Sequence, residues 1–291
     1  MHHKSVTVHI DPSAGFCNGV TCSVKQAESL LADNRELYCL GELVHNQEEV
    51  QRLHQKGLRV IDQQTFKNLK DTTVLLRSHG EPPETYRMAE QNNLRLVDST
   101  CKIVLGLQKR IKRTYEELAP EQGQVIIFGK PGHPEVVSLN GQINNKGIII
   151  SGTDDLNKID FTKPVALFSQ TTMEPLYFQE IAQILQDKLG KQHLKVHQTI
   201  CHQVAGRKPK IQKFASEHDA IIFVAGKTSS NGKVLYEVCR EMNPRTYFIS
   251  HHQELNHAWF SGVYSIGISG ATSTPLSQLN EVARIIKEQK F

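Results

Sequence analysis

The chain has 291 residues, a formal net charge of +4 and 38% hydrophobic residues. That mild charge speaks against a nucleic-acid binder, no apolar run approaches the roughly 18 residues of a membrane span, and the N-terminal stretch has no apolar signal-peptide core. Six cysteines are too sparse for a disulfide scaffold in so long a chain, so a reducing cytosol is the expected compartment, with thiols free, catalytic or metal-bound.

Apolar runs rich in β-branched residues alternate with helical periodicity from end to end. Strands are expected over 6–10, 58–61, 74–76, 94–97, 125–128, 147–150, 165–168, 221–224, 247–249 and 263–268. Helical spacing follows Cys17 through Val20, Val24, Ala27 and Leu31, and follows Cys101 through Val104, Leu107, Ile111, Tyr115 and Leu118. After Cys201 the pattern is broken by Pro209, which is tolerated in a first helical turn, so a helix is expected to start near Lys208. This alternation argues for α/β units with parallel sheets.

The order is also a threefold repeat. Cys17, Cys101 and Cys201 each stand at a turn from strand to helix. A second apolar strand then runs into a polar cluster: His45-Asn46, His133-Pro134-Glu135 and Thr228-Ser229-Ser230-Asn231. A third cluster follows: Ser78-His79-Gly80, Gln170-Thr171-Thr172 and Thr272-Ser273-Thr274-Pro275. The period is too long for a solenoid and suggests three similar small domains, 14–99, 100–199 and 200–291.

A lone cysteine is ordinarily a buried apolar thiol, and Cys22, Cys39 and Cys239 fit that description. The other three share one point of a repeat, and a helix N-terminus favours thiolate over thiol. Three thiolates from separate elements suit zinc or an iron–sulfur cluster, and in a cubane they leave one iron open. A lone histidine is usually structural. Here His45, His79 and His133 follow strand ends, as do Thr171, Thr172, Ser229, Ser230, Asn231 and Ser273, where parallel sheets bind ligands. Together they form a set of neutral or weakly basic donors suited to a phosphate or diphosphate. Glu135 is the one carboxylate in these clusters besides Glu42, and is the general-acid candidate.

These motifs carry a resemblance. Gly15-Phe16-Cys17-Asn18-Gly19-Val20, Val44-His45-Asn46, Ser78-His79-Gly80, Asp98-Ser99-Thr100-Cys101, Gly132-His133-Pro134-Glu135-Val136, Gln170-Thr171-Thr172, Thr199-Ile200-Cys201, Ser229-Ser230-Asn231 and Ser273-Thr274-Pro275 stand in the order seen in the 4-hydroxy-3-methylbut-2-enyl diphosphate reductase family of the non-mevalonate isoprenoid pathway. The chain resembles that family over essentially its whole length. The resemblance implies a trefoil of three α/β domains with mostly parallel sheets around a central iron–sulfur site, strand 1–13 completing the third. It implies a [4Fe–4S] cluster on Cys17, Cys101 and Cys201 with one iron open to substrate. It assigns the diphosphate to His45, His79, His133, Ser229, Ser230, Asn231 and Ser273, and places Thr171 and Glu135 near the substrate hydroxyl. The reaction implied removes that hydroxyl as water with two electrons and two protons, giving isopentenyl and dimethylallyl diphosphate.

The chain departs from the family's usual residues after the thiols, with Thr21-Cys22 for Asp-Arg, Lys102 for Pro, Gln203-Val204 for Ala-Thr and Lys208 after a retained Arg207, and in the last serine loop, with Thr272 for Ala just before Ser273. Two other readings are kept beside the reductase. One is a hydro-lyase using the open iron as a Lewis acid on a phosphorylated substrate. The other is a metal sensor or zinc-stabilised binding protein. No G-x-G-x-x-G fingerprint sits on a strand–helix turn, so electrons are expected from a separate protein, and the family resemblance implies a small acidic donor of the ferredoxin or flavodoxin type. Its expected dock is Lys109, Arg110, Lys112 and Arg113 with Arg207, Lys208, Lys210 and Lys213.

Overall fold

The computed structural model describes residues 6–33 and 36–288, so part of the expected 1–13 strand segment lies outside the described residues. Among the described residues, twelve strands pair into three four-stranded sheets. The first contains β2 (Leu37–Leu40), β3 (Leu58–Ile61), β4 (Thr73–Leu76) and β5 (Arg95–Asp98), in the order β3-β2-β4-β5. The second contains β6 (Gln124–Phe128), β7 (Ile148–Ile150), β8 (Val165–Ser169) and β9 (Leu194–Val196), in the order β7-β6-β8-β9. The third contains β10 (Ala220–Val224), β11 (Thr246–Ile249) and β12 (Ser265–Gly270), closed by β1 (Thr7–Ile10), in the order β11-β10-β12-β1. The pairing of β1 with β12 is parallel, Thr7 opposite Ser265 and Ile10 opposite Ile268.

The three sheets therefore share one topology. In each, the edge strand β5, β9 or β1 leads into one of the three repeat cysteines, Cys101, Cys201 or Cys17. Central strands β8 and β10 are buried at every residue, whereas edge strands β1, β5 and β9 are partly exposed. That contrast is what parallel sheets covered by helices on both faces require. It explains why 165–168 and 221–224 read so clearly as strands. It also explains why β9, three residues with Lys195 at its centre, gave no such signal.

The helices are α1 (Asn18–Asp33), α2 (Gln47–Gln55), α3 (Gln63–Asn68), α4 (Pro83–Gln91), α5 (Lys102–Leu118), α6 (Pro134–Gly141), α7 (Pro175–Leu189), α8 (His202–Ala205), α9 (Arg207–Ser216), α10 (Ser230–Met242) and α11 (Leu276–Glu288). The stripe expected after Cys101 is the buried face of α5: Val104, Leu107 and Ile111. The helix expected near Lys208 begins at Arg207 and is preceded by the single turn α8.

By contact density the chain divides into two compact units, residues 1–37, 42–60 and 206–291 in one and 38–41 and 61–205 in the other. The first packs α11 and α10 onto the third sheet through Ile222, Val224, Ile268, Leu279 and Val282 on one face and Ile221, Phe223, Leu235 and Ala271 on the other. The second buries Phe128, Leu167, Phe178 and Ile181 under α7, with Ile127, Val136, Leu139 and Phe168 on the opposite face. Each fully buried side chain of this size contributes about 1.5–3 kcal/mol. The strand ends and the loops that follow them are thereby held on a rigid base.

Candidate active site

In the second unit, Glu135 occupies the first turn of α6, whose N-cap His133 accepts the Glu135 amide at Nδ1, 3.1 Å. Pro134 at the first helical position is compatible with the missing donor there. The Glu135 side chain is 2% exposed. The Thr171 amide donates to its Oε1 at 2.6 Å, and the Thr171 hydroxyl donates to its Oε2 at 2.7 Å. Burial pushes the carboxyl up to about 7, and the two Thr171 bonds oppose that rise without cancelling it. A carboxyl poised there can hold or release a proton near neutrality.

Thr171 also reaches a thiol residue. Its carbonyl accepts the Cys201 N–H at 2.8 Å. One residue thus ties the candidate acid to a candidate metal ligand. The chain entering Cys201 is fixed by Thr199, whose hydroxyl receives the Ser169 amide at 2.7 Å and stands 2.9 Å from the Ser169 carbonyl. Gln170 braces the same loop, accepting the Lys130 amide and donating to Thr172.

Cys101 repeats the arrangement. Its N–H donates to the Ser78 carbonyl at 3.0 Å, and its carbonyl accepts the Leu105 amide in the first turn of α5. The loop before it is an Asp98–Thr100 turn, with the Thr100 amide donating to Asp98 Oδ1 at 2.9 Å and Tyr86 holding Oδ2 at 2.8 Å. His79 and His133 meet edge to face, with ring centroids 5.4 Å apart. Gly80, at φ +73°, has no room for a side chain. A Cβ there would stand 2.7 Å from Gln108 Nε2 and 2.9 Å from Ser138 Oγ.

In the first unit the Cys17 N–H donates to the Thr272 carbonyl at 3.2 Å, and Ser13 turns on Asp11 just upstream. The Arg207 guanidinium donates to the carbonyls of Gly270, 3.1 Å, and Gly15, 2.5 Å. Arg207 is 8% exposed. Burial lowers its pKa, opposed by its attraction to Asp11 and Cys17. Its expected role as a docking cation is therefore corrected: the guanidinium is spent on backbone carbonyls that shape the Cys17 turn. Cys22 is corrected as well, being exposed, whereas Cys39 and Cys239 are buried and their thiols are pushed up to about 12 by burial.

The same unit gathers His45, Ser229, Asn231 and Ser273. Ser229 Oγ lies 3.3 Å from Ser273 Oγ, and Ser273 Oγ donates to the His45 carbonyl at 3.3 Å. Ser229 caps α10 by accepting the Gly232 amide, and Ser230 is the first residue of that helix. Gly226 lets the loops close, since a Cβ there would meet the His45 carbonyl at 2.3 Å. Thr272, standing where the family pattern has Ala, donates to Asn231 Oδ1 from its amide at 3.3 Å and from its hydroxyl at 3.1 Å. These bonds fix which end of the Asn231 side chain faces Thr272. Spacing singled out Asn231, Ser229 and Ser273, which the fold brings together, but the contacts of Thr272, Thr199 and Arg207 are ones that no local pattern carries.

Beside Cys201 in the second unit lies an open cleft of about 330 Å³, lined by Lys102, Arg110, Gln198, Thr199, Cys201 and His202 among others. Lys109, Arg110, Lys112 and Arg113 are exposed on α5 as expected, with Arg113 paired to Glu117. No helix among the described residues is long and apolar enough to cross a membrane.

A family model described as LytB protein matches residues 8–287. A 4-hydroxy-3-methylbut-2-enyl diphosphate reductase of Bacteroides fragilis is 45% identical over 285 residues, covering 98% of each chain. One of the same name from Porphyromonas gingivalis is 46% identical over 285 residues, covering 97% of this chain and 99% of its own. A solved structure of (E)-4-hydroxy-3-methyl-but-2-enyl diphosphate reductase, titled the terminal enzyme of the non-mevalonate pathway, is 33% identical with a TM-score of 0.74, over 97% of this chain and 99% of that one. The structure of E-1-hydroxy-2-methyl-but-2-enyl-4-diphosphate reductase from Plasmodium falciparum, at 21% identity and a TM-score of 0.85 over 99% and 90% of the two chains, shares the fold. The match spans all three sheets and all three thiol turns at full-length identity of this order, and the chain belongs to the LytB protein family.

Proposed function

We propose that this chain is a 4-hydroxy-3-methylbut-2-enyl diphosphate reductase. The observation that carries the reading is the Glu135–Thr171–Cys201 connection: a buried carboxyl with a near-neutral pKa, joined through one threonine to a ligand-type thiol residue. It fits a reaction that needs a proton and electrons at one place. The substrate's C–O bond breaks, the hydroxyl leaves as water, and a C–H bond forms, consuming two electrons and two protons. The products are isopentenyl and dimethylallyl diphosphate.

Cys17, Cys101 and Cys201 are the proposed ligands of a [4Fe–4S] cluster. None of the three is in a disulfide and all are partly accessible, each beside the first turn of a helix, unlike the sealed Cys39 and Cys239. A thiolate donor set of this kind suits iron–sulfur chemistry. The cluster, when bound, supplies electrons and an open iron for the substrate oxygen. The chain's own residues do the rest. Glu135 holds the proton for the departing hydroxyl, and Thr171 orients that carboxyl through two bonds. His45, His79, His133, Ser229, Ser230, Asn231 and Ser273 bind the diphosphate, and Thr272 turns Asn231 toward it. The proposed domains are 14–99, 100–199 and 200–291 with strand 1–13, consistent with one sheet topology used three times. The proposed compartment is the cytosol.

Electrons come from an acidic ferredoxin- or flavodoxin-type donor docking on Lys109, Arg110 and Lys112 of α5, at the rim of the Cys201 cleft. The test of the function is anaerobic turnover. Purified protein should oxidise a reduced viologen dye only when 4-hydroxy-3-methylbut-2-enyl diphosphate is present, and should yield both isoprenyl diphosphates. Water addition or loss without dye oxidation would replace the reductase by the hydro-lyase.

A further inference from the structure

We infer that Glu48, His251 and His252 form a second metal site, one for a zinc-class divalent cation, separate from the thiol and substrate residues. Glu48 lies in the first turn of α2. His251 and His252 directly follow the strand β11 and Ser250, and all three belong to the first unit. One ligand atom from each lies within 4.8 Å of the others. Side-chain rotation of about an ångström closes that spread to the edge of a tetrahedron with bonds of roughly 2.0–2.1 Å. The two imidazoles lie against each other, centroids 4.0 Å apart and planes tilted by 36°.

The supporting groups are already placed. Gln278, 5% exposed on α11, donates from its amide nitrogen to Glu48 Oε2 and to the Ser250 carbonyl. Its own oxygen accepts the Asn46 amide at 2.8 Å, which fixes which end of the Gln278 side chain faces Glu48. One carboxylate oxygen is thus anchored by a buried amide, leaving Oε1 for an ion. Ligating carboxylates are characteristically held in this way. The loop bearing the imidazoles is pinned from the other side, where Glu254 accepts the Ser250 amide at 2.9 Å and its hydroxyl at 2.7 Å.

Two imidazoles and a carboxylate, all partly exposed, leave a fourth position for water. That donor set prefers zinc or copper over ferrous iron and excludes the hard, all-oxygen preference of magnesium. Ligation has one local cost. His251 Nδ1 now accepts the Gln253 amide at 3.2 Å, and binding replaces that bond if Nδ1 ligates, or requires Nδ1 to carry the proton if Nε2 does.

The test is equilibrium dialysis of chelator-washed, cluster-loaded protein against micromolar zinc, comparing wild type with His252→Ala and Glu48→Gln. Glutamine at 48 retains a carbonyl for Gln278 and so preserves the local fold. Wild type should hold one zinc more than either variant, with affinity in the variants lower by about 100-fold or more. Zinc should also raise the unfolding midpoint of wild type and leave both variants unmoved. Equal zinc uptake by all three proteins, or no shift of the wild-type midpoint, overturns the site. Zinc captured by the cysteines would appear equally in wild type and variants, so failure of the cluster reading is distinguishable from failure of this one.

Discussion

Replacing Glu135 by glutamine separates the proton from the shape. Burial holds the Glu135 carboxyl at about 7, against an ordinary value of 4.5. Between those two values the folded protein keeps a proton that the unfolded chain has released. Stability is therefore undiminished below the lower value, falls through the window as pH rises, and bears the whole cost above the upper one. From about pH 5 to about pH 8 the loss is about 2–3 kcal/mol. Glutamine accepts the Thr171 amide through its carbonyl and donates its NH₂ to the Thr171 hydroxyl, so the contacts survive while the titration disappears. Urea unfolding of metal-free, reduced protein at both ends of the range should show wild type losing about 2–3 kcal/mol more than Glu135→Gln. Turnover with a reduced viologen should fall about 10²-fold in the variant, with iron content and substrate affinity retained. In wild type it should decline above neutrality. Parallel stability–pH curves for the two proteins, or near wild-type turnover in the variant, would refute a buried, proton-holding Glu135.

Changing Cys17, Cys101 or Cys201 to Ser should abolish iron retention on anaerobic reconstitution while Cys239→Ser keeps it; stoichiometric zinc with no iron in the native protein would contradict the cluster. Ser229→Ala and Asn231→Ala should raise KM for the diphosphate more than they lower kcat, and Thr272→Ala should raise it by about 5-fold, the worth of one orienting hydrogen bond of about 1 kcal/mol. Arg207→Met should lower stability by about 3 kcal/mol, since two buried carbonyls lose a charged donor; an unmoved denaturation midpoint would show that water replaces the guanidinium. Lys109→Glu with Lys112→Glu should slow reduction by ferredoxin at low salt and leave reduction by the small dye unchanged; equal losses with both reductants would place the damage at the active site.

The threefold strand–thiol–helix repeat was legible because each sheet reuses one topology, and a burial pattern used three times leaves its trace three times in the sequence. The central strands were plain because both of their faces are covered. The edge strand β9 was not, because half of it meets water and Lys195 interrupts it. The placement of the candidate residues at strand ends was legible from position alone. What the sequence hid was connection across distance. Arg207 looks like one cation of a basic run, yet its donors are consumed by Gly15 and Gly270, 192 and 63 residues away in the chain. Cys22 reads as an apolar helix position but falls on the exposed face of α1. The Gln278 link between Glu48 and Ser250 joins three segments that no window could see together.

The three thiol turns share a bond that side-chain substitution cannot remove. The Cys101 N–H reaches the Ser78 carbonyl, the Cys201 N–H the Thr171 carbonyl and the Cys17 N–H the Thr272 carbonyl. Each acceptor lies in the loop after the third strand in its sheet's order, β4, β8 or β12. Each either is a proposed substrate residue or immediately precedes one: His79, Thr171 and Ser273. Proposed metal ligand and proposed substrate group are thus one peptide hydrogen bond apart in every repeat. The connection runs through main chain, so the side chains of these loops are free to differ, as Ser-His-Gly, Gln-Thr-Thr and Thr-Ser-Thr do. It accounts for the tolerance of Thr272 where Ala is usual, because the carbonyl that holds Cys17 is the same in both. In the proposed function, each thiol ligand and a neighbouring substrate group are held by the same backbone bond, the kind of outer support that orients metal ligands.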